Sequence, residues 1–387
     1  MARTFEQHLD PAVGPKRILA LDGGGLRGVL TLGILREIED TLRARHGGDP
    51  AFRLCDYFDL IAGTSTGAII AAALSIGMSV DEVHQHYFAL GHAVFKRSPL
   101  RFGLVRAKFD GANVGQALRG VLGERKLGDP GYRTGLLVVA KRLDSGSPWL
   151  LSNNPKMPYM QRGDQATTIA NGEYPLWQVV RASTAAPHFF DPEKIDIGRA
   201  DGKVKAVHGE FVDGGVSPSN NPSLQALIAA TVERCGFGWA TGPDRLLVVS
   251  VGTGKQDPEI GLSNAITGAA LANAARSLAA LMEDCADQVE TMMQWLSVSP
   301  TARSIDRLIR KVEPPLGGHA QLSYLRYNVL MRPDWCRDQL GIEIGADELK
   351  AMEAMDDPEQ LLPLDGLGRT AGAVLVKPEH FTSTFDG

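Results

Sequence analysis

The sequence predicts an α/β fold of three layers, α/β/α, in which a mainly parallel central sheet is covered by helices on both faces. Three observations point there. Short continuous apolar runs at residues 17–22, 57–62, 136–140 and 245–251 read as buried parallel strands, which lack the polar–apolar alternation of half-exposed ones. The first two runs are each followed by a Gly-rich turn and then a helical pattern, the βα order of a parallel sheet. Glycine is also in excess, 43 of 387 residues and with no collagen-like period. Such a chain needs many tight turns, and tight turns often build sites.

In chain order, residues 1–15 read as a flexible leader before the first strand. Gly23–Gly25 break that strand. From Leu26, apolar residues at 29, 30, 32, 34, 35, 38 and 42 predict a helix of about four turns. The second strand runs into Gly63–Gly67, and Ala68–Leu74 opens a second helix. Ser79 is an N-cap for a third, with Val80, Val83, Tyr87 and Leu90 on one face. Residues 152–171 and 191–208 are polar and rich in Pro, Gly and Asn, and read as loops. Residues 265–297 are Ala-rich and helical. One α/β domain is expected from residue 16 to the end, with residues 316–387 a candidate C-terminal appendage.

Lys plus Arg number 40 and Asp plus Glu 45, a net charge of −5 with neither sign clustered. That composition argues against a general binder of nucleic-acid polymers. Hydrophobic residues at 44% and charged ones at 22% exclude wholesale disorder. The polar N-terminus has no apolar signal-peptide core, and no apolar run reaches the length of a spanning helix, so a cytoplasmic protein is expected. Cys55, Cys235, Cys285 and Cys336 are far apart and form neither a CxxC pair nor a Cys/His cluster, so reduced, structural thiols are expected and no metal site.

Three motifs carry chemistry. Gly63-Thr-Ser-Thr-Gly67 is G-x-S-x-G between a predicted strand and a predicted helix. A sharp turn there would lift the Ser65 hydroxyl above the sheet, with Gly63 and Gly67 relieving Cβ clashes and the helix N-terminus favouring negative charge. Asp22-Gly-Gly-Gly-Leu-Arg-Gly28 also satisfies G-x-G-x-x-G, the dinucleotide fingerprint. That fingerprint wants an acid ending a second strand about 20 residues on. Glu39 and Asp40 lie 16 and 17 residues after Gly23, but on the helix itself. Gly23, Gly24 and Gly25 instead expose backbone N–H groups that suit an oxyanion, with Arg27 a nearby cation. The third motif, Asp213-Gly214-Gly215, would on its own be a common turn. No histidine announces itself as a base: His319 and His380 follow Asp213 without a recognisable context, and His188 precedes it. A Ser–Asp dyad in which Asp213 takes the Ser65 proton directly would explain this, with His188 the next candidate.

These blocks, in this order, together with Arg181-Ala-Ser-Thr-Ala-Ala-Pro187, resemble the patatin-like phospholipases. The likeness covers residues 17–215, continues through Val249–Gly254 and fades after about residue 300. It implies Ser65 as nucleophile, Asp213 as general base, an oxyanion hole in the Gly23–Gly25 loop and supporting roles for Arg27, Gly63, Gly67, Gly214 and Gly215. It also implies a lipid acyl hydrolase that needs no metal or cofactor, works without calcium and makes peripheral contact with membrane phospholipid. Such an enzyme would act at the inner face of the membrane. Some bacterial members are antiviral defence effectors switched on by cyclic oligonucleotides, so an activator of that class and a homo-oligomer are carried as expectations. Val94-Phe95, residues 100–105 and residues 265–297 are the candidate acyl groove or interfacial face, beside the reading of ordinary core. Two other classes stay open: a catalytically silent binding protein on the same fold, and a dinucleotide-dependent oxidoreductase, which the missing strand-end acid disfavours.

Overall fold

The structure, a computed structural model, describes residues 3–94, 109, 111–161, 168–187, 189–199, 207–255, 270–305 and 308–386. His188, Phe95 and residues 100–105, singled out above, lie outside the described residues.

Nine strands form one mixed sheet: β1 Lys16–Leu21, β2 Leu60–Thr64, β3 Gly135–Arg142, β4 Pro148–Ser152, β5 Glu193–Gly198, β6 Val207–Asp213, β7 Leu246–Val251, β8 Ser297–Val298 and β9 Leu322–Tyr327. Their order is β5-β6-β3-β2-β1-β7-β9-β8, with β4 also paired to β3. The centre, β3-β2-β1-β7-β9, is parallel throughout. β1, β2 and β7 are buried along their whole length, as their unbroken apolar runs require. The helices are α1 Phe5–Leu9, α2 Gly28–Arg45, α3 Leu54–Tyr57, α4 Thr66–Ser75, α5 Val80–Val94, α6 Gly111–Leu122, α7 Leu176–Ser183, α8 Ser223–Thr231, α9 Ala270–Trp295, α10 Pro333–Trp335, α11 Ala346–Met352 and α12 Leu361–Leu375. The steps β1–α2–β2 and β2–α4–β3 travel one way across the sheet, and β7 lies on the other side of β1. Right-handed crossovers therefore put α2 and α4 on one face and α8, which packs on β1 and β7, on the other.

The register of β3 positions the site. Thr64, the last residue of β2, pairs with Val139, and Asp213, the last of β6, pairs with Ala140. β4 occupies residues 137–141 on the opposite edge. β2 and β6 therefore meet end to end along one edge of β3, one running up and the other down.

Two expectations are corrected, the start of the second strand and the loop at residues 191–208. Within the first 15 residues, Thr4 and Gln7 cap α1 reciprocally, and His8 is buried with its Nδ1 2.8 Å from Asp59 Oδ1. The second strand begins at Leu60, because Asp56 caps the short helix α3 that takes up Leu54–Tyr57. Residues 191–208 are not all loop. β5 pairs antiparallel with β6 as an outer hairpin, where Ile195 is buried between exposed Lys194 and Asp196. β9 joins the sheet beside β7, and α12 packs on α2 through Gly33 and Gly368, whose backbones touch. The expected cap of α5 is present: Ser79 Oγ accepts from the Glu82 N–H, and the Glu82 carboxylate accepts from the Ser79 N–H at 2.7 Å. All four cysteines are free thiols.

Candidate active site

Ser65 stands at the strand-to-helix turn between β2 and α4 with φ 54° and ψ −122°, a conformation non-glycine residues rarely adopt. The turn closes only because its flanks lack side chains. A Cβ on Gly63 would lie 2.2 Å from the Gly67 carbonyl oxygen, and one on Gly67 would lie 2.1 Å from that of Leu21. Thr64 fixes the approach by donating its hydroxyl to the Ser219 carbonyl at 2.6 Å. Ser65 thus faces the end of β6 with the N-terminus of α4 beneath it.

The Ser65 hydroxyl donates to Asp213 Oδ2 at 2.5 Å. The other carboxylate oxygen, Oδ1, accepts the Gly215 N–H at 2.7 Å. Asp213 is buried, and burial pushes its pKa up to about 6; the bonds from Ser65 and Gly215 and the Arg181 charge pull the other way. A buried carboxylate with so few donors is a far better base near neutrality than a solvated one.

The Arg181–Pro187 segment joins the two residues. Ser183 Oγ accepts the Ser65 N–H at 2.8 Å and donates to the Val139 carbonyl at 2.6 Å. Two residues on, the Ala185 carbonyl accepts the Asp213 N–H at 3.1 Å. One end of α7 therefore grips both members of the pair. The motif was visible in the sequence, but Ser183's grip on Ser65 was not.

The glycine loop lies against Ser65: a Cβ on Gly23 would come 3.0 Å from Ser65 Cβ. Gly23 cannot serve as a free donor, since its N–H is bound to the Asn220 carbonyl at 3.1 Å. The N–H groups of Gly24 and Gly25 have no acceptor among the described residues. Gly25 takes φ +59°, and Tyr87 OH donates to its carbonyl. Arg27 is buried and donates to the Gly254 carbonyl at 3.3 Å. Desolvation lowers its pKa, opposed by Glu283, Glu353 and Asp22. Asp22 is held by Arg326, a residue the sequence did not bring forward. No histidine bonds to Ser65 or Asp213 among the described residues. His8, His84, His208 and His380 pair with Asp59, Asp365, Asp196 and Tyr327.

The sequence profile described as "Patatin-like phospholipase" matches residues 19–227, more than half of the chain. The chain belongs to this family. Among curated relatives, a cUMP-AMP-activated phospholipase of Escherichia coli is 32% identical over 56% of this patatin-like chain and 59% of its own length. A cGAMP-activated phospholipase of Escherichia coli strain TW11681 is 31% identical over 55% of each. Patatin-like protein 6 of Arabidopsis thaliana is 28% identical over 62% of the chain and 47% of its own length. The chain thus spans about half the length of the curated relatives it matches. The family profile ends at residue 227, so β7, β9 and α9 of this patatin-like chain lie outside it. No helix among the described residues is long and apolar enough to cross a membrane.

Proposed function

We propose that this chain is a serine-dependent lipid acyl hydrolase that cleaves carboxylic esters of membrane phospholipids through a Ser65–Asp213 dyad. The observation that carries the reading is the 2.5 Å bond from the Ser65 hydroxyl to a buried carboxylate whose pKa is raised to about 6. Asp213 takes the hydroxyl proton as Ser65 Oγ attacks the ester carbonyl. The Gly24 and Gly25 N–H groups accept the charge that develops on the carbonyl oxygen, and Gly23 packs the loop against the nucleophile without donating. The proton passes from Asp213 to the departing alcohol, leaving an acyl-serine. Asp213 then takes a proton from a water, whose oxygen attacks the acyl carbon, and returns it to Ser65 Oγ as the acyl–oxygen bond breaks and the fatty acid leaves. Gly63 and Gly67 let the elbow close, Gly214 and Gly215 shape the turn that turns Asp213 toward Ser65, and Arg27 anchors the far end of the glycine loop.

Control by a cyclic oligonucleotide is the second reading. The likeness to the cUMP-AMP-activated and cGAMP-activated phospholipases of Escherichia coli favours it. In that case the chain would act as a defence effector at the inner face of the membrane, with self-association part of its switch.

The test is fatty-acid release from mixed phospholipid vesicles, read by mass spectrometry, with calcium chelated and cyclic di- and trinucleotides in parallel arms. Release by the wild-type protein and none by Ser65→Ala is expected; release by both would overturn the nucleophile. Release only in a nucleotide arm would establish the activated reading.

A further inference from the structure

Each residue of the glycine loop, from Asp22 to Arg27, touches chain that lies beyond the family match. Thr253 Oγ1 donates to the Gly23 carbonyl at 3.1 Å, and its side chain fills the space where a Gly24 Cβ would stand. The Met355 carbonyl accepts the Leu26 N–H at 2.8 Å and sits against Gly25. The Gly254 carbonyl takes the Arg27 guanidinium. The strongest hold is on Asp22. Arg326, on β9, donates from Nη1 to Oδ1 at 2.9 Å and from Nη2 to Oδ2 at 2.6 Å, and its Nη1 also donates to Ser250 Oγ at 2.7 Å. Both side chains are buried, and Glu290 on α9 stands 3.6 Å from Arg326 Nε.

We propose that Arg326 is a positioning residue for catalysis, which sets the Gly24 and Gly25 N–H groups through Asp22. The inference rests on the reading of Ser65 as nucleophile. A two-point fork fixes the plane of the Asp22 carboxylate, which a lysine's point charge cannot do. Asp22 is one peptide bond from Gly23, which packs on Ser65 Cβ, so a rotation at Asp22 displaces the amides that follow, those of Gly24 and Gly25 among them. Oxyanion donors act within a few tenths of an ångström, and misplacement by about 1 Å costs about a hundredfold in rate. A buried ion pair is weak evidence for stability, because desolvation cancels much of its attraction. Its geometric precision is what an apolar pair of equal volume would lack.

The experiment compares wild type with Arg326→Lys and with the double variant Asp22→Asn/Arg326→Gln, which swaps the ion pair for a neutral amide pair while Glu290 keeps Arg303 Nη2 at 2.7 Å. Hydrolysis of a short-chain p-nitrophenyl ester gives kcat and KM. A trifluoromethyl ketone, which adds to the serine as a tetrahedral oxyanion, gives an inhibition constant that reads the loop directly. Thermal melting monitors folding. In Arg326→Lys, kcat should fall about tenfold to a hundredfold with KM within about twofold, and the ketone should bind more weakly by the same factor. The double variant should melt near wild type yet keep the catalytic loss. Wild-type kcat and ketone affinity in a folded variant would overturn the proposal. So would a loss carried by KM, or a fall in kcat with unchanged ketone affinity. Ser65→Ala, run alongside with a fluorophosphonate label, separates the two levels: label on another residue would refute the nucleophile itself, whatever Arg326 does.

Discussion

A buried aspartate lies near each end of strand β2, and the two have opposite characters. Asp59 precedes its first residue. At the other end, about 20 Å away by strand rise, Ser65 follows its last and meets Asp213. Both carboxylates are buried, and burial pushes both pKa values up. Asp59 nevertheless falls to about 2, because His8, Arg17, Lys16 and Arg3 surround it: its oxygens receive Arg3 Nη1 at 2.7 Å, the Arg17 N–H at 2.8 Å and Arg17 Nε at 3.2 Å. Among the described residues, Asp213 has one hydroxyl, one amide and the Arg181 charge, and it rises to about 6. Burial does not decide what a buried acid does; the number of donors aimed at it does. A saturated carboxylate is a structural rivet, and an under-supplied one is suited to the role of base proposed for Asp213.

Exchanging each acid for its amide should break the comparison into two measurements. Asp213→Asn should cost about three to four orders of magnitude in kcat, nearly as much as Ser65→Ala, since members of a catalytic unit are not additive. Activity within about tenfold of wild type would move the base elsewhere. Asp59→Asn should leave kcat within about twofold yet cost about 3–5 kcal/mol of stability, because Arg3 and Arg17 would lose their buried counter-charge. Denaturant unfolding checks the second half. A catalytic loss in Asp59→Asn with little destabilisation would mean that the two ends of β2 are coupled, and the contrast would fail.

Much of this site was legible because it is local. Gly63–Gly67, Asp22–Gly28 and Asp213–Gly215 each encode a turn, and a turn is fixed by residues next to one another in sequence. What escaped the sequence depends on register or on distant pairing. Asp22 and Arg326 are 304 residues apart and meet only because β9 takes the place beside β7. The occupation of the Gly23 amide by Asn220 likewise needs the loop after Asp213 to fold back over the glycine loop. The β5–β6 hairpin was hidden by its polar outward face, which alternates with buried Ile195, and α1 by a five-residue length too short for periodicity to register. The burial of His8 against Asp59, 51 residues away, likewise depends on distant pairing.

The two acids should also separate on a pH axis. As a base, Asp213 must be deprotonated, so kcat/KM should climb through about pH 6 and level off above it. Its folded pKa lies above the unfolded value of about 4, so its contribution to stability is full below that value and is lost as pH rises through about 6. Asp213→Asn should therefore melt higher than wild type at pH 8 and show no such gain at pH 4. Asp59 runs the other way. Its folded pKa is depressed, so its contribution is full above about 4 and disappears only as pH falls through about 2. A flat kcat/KM profile between pH 5 and 7, or an Asp213→Asn protein less stable than wild type at pH 8, would remove the base from the account.

The smallest effect tests how far sparse donor supply makes each remaining contact matter. Ser183 Oγ is the acceptor for the Ser65 N–H, and it is anchored in turn on the Val139 carbonyl beside Asp213's strand. Ser183→Ala leaves a buried N–H unpaired at a cost of about 1–3 kcal/mol. At the Asp59 end, where several donors share the load, such a loss would pass into stability alone. At the elbow it falls on a residue already held at φ 54°, so part of it should relax the turn and draw the hydroxyl off Asp213. We expect kcat to fall about tenfold with KM unchanged, and Ser183→Thr, which keeps the oxygen, to recover most of it. An equal loss in the threonine variant would point to packing. Full activity in the alanine variant would show that Gly63, Gly67 and the Asp213 bond hold the strained turn without help from α7.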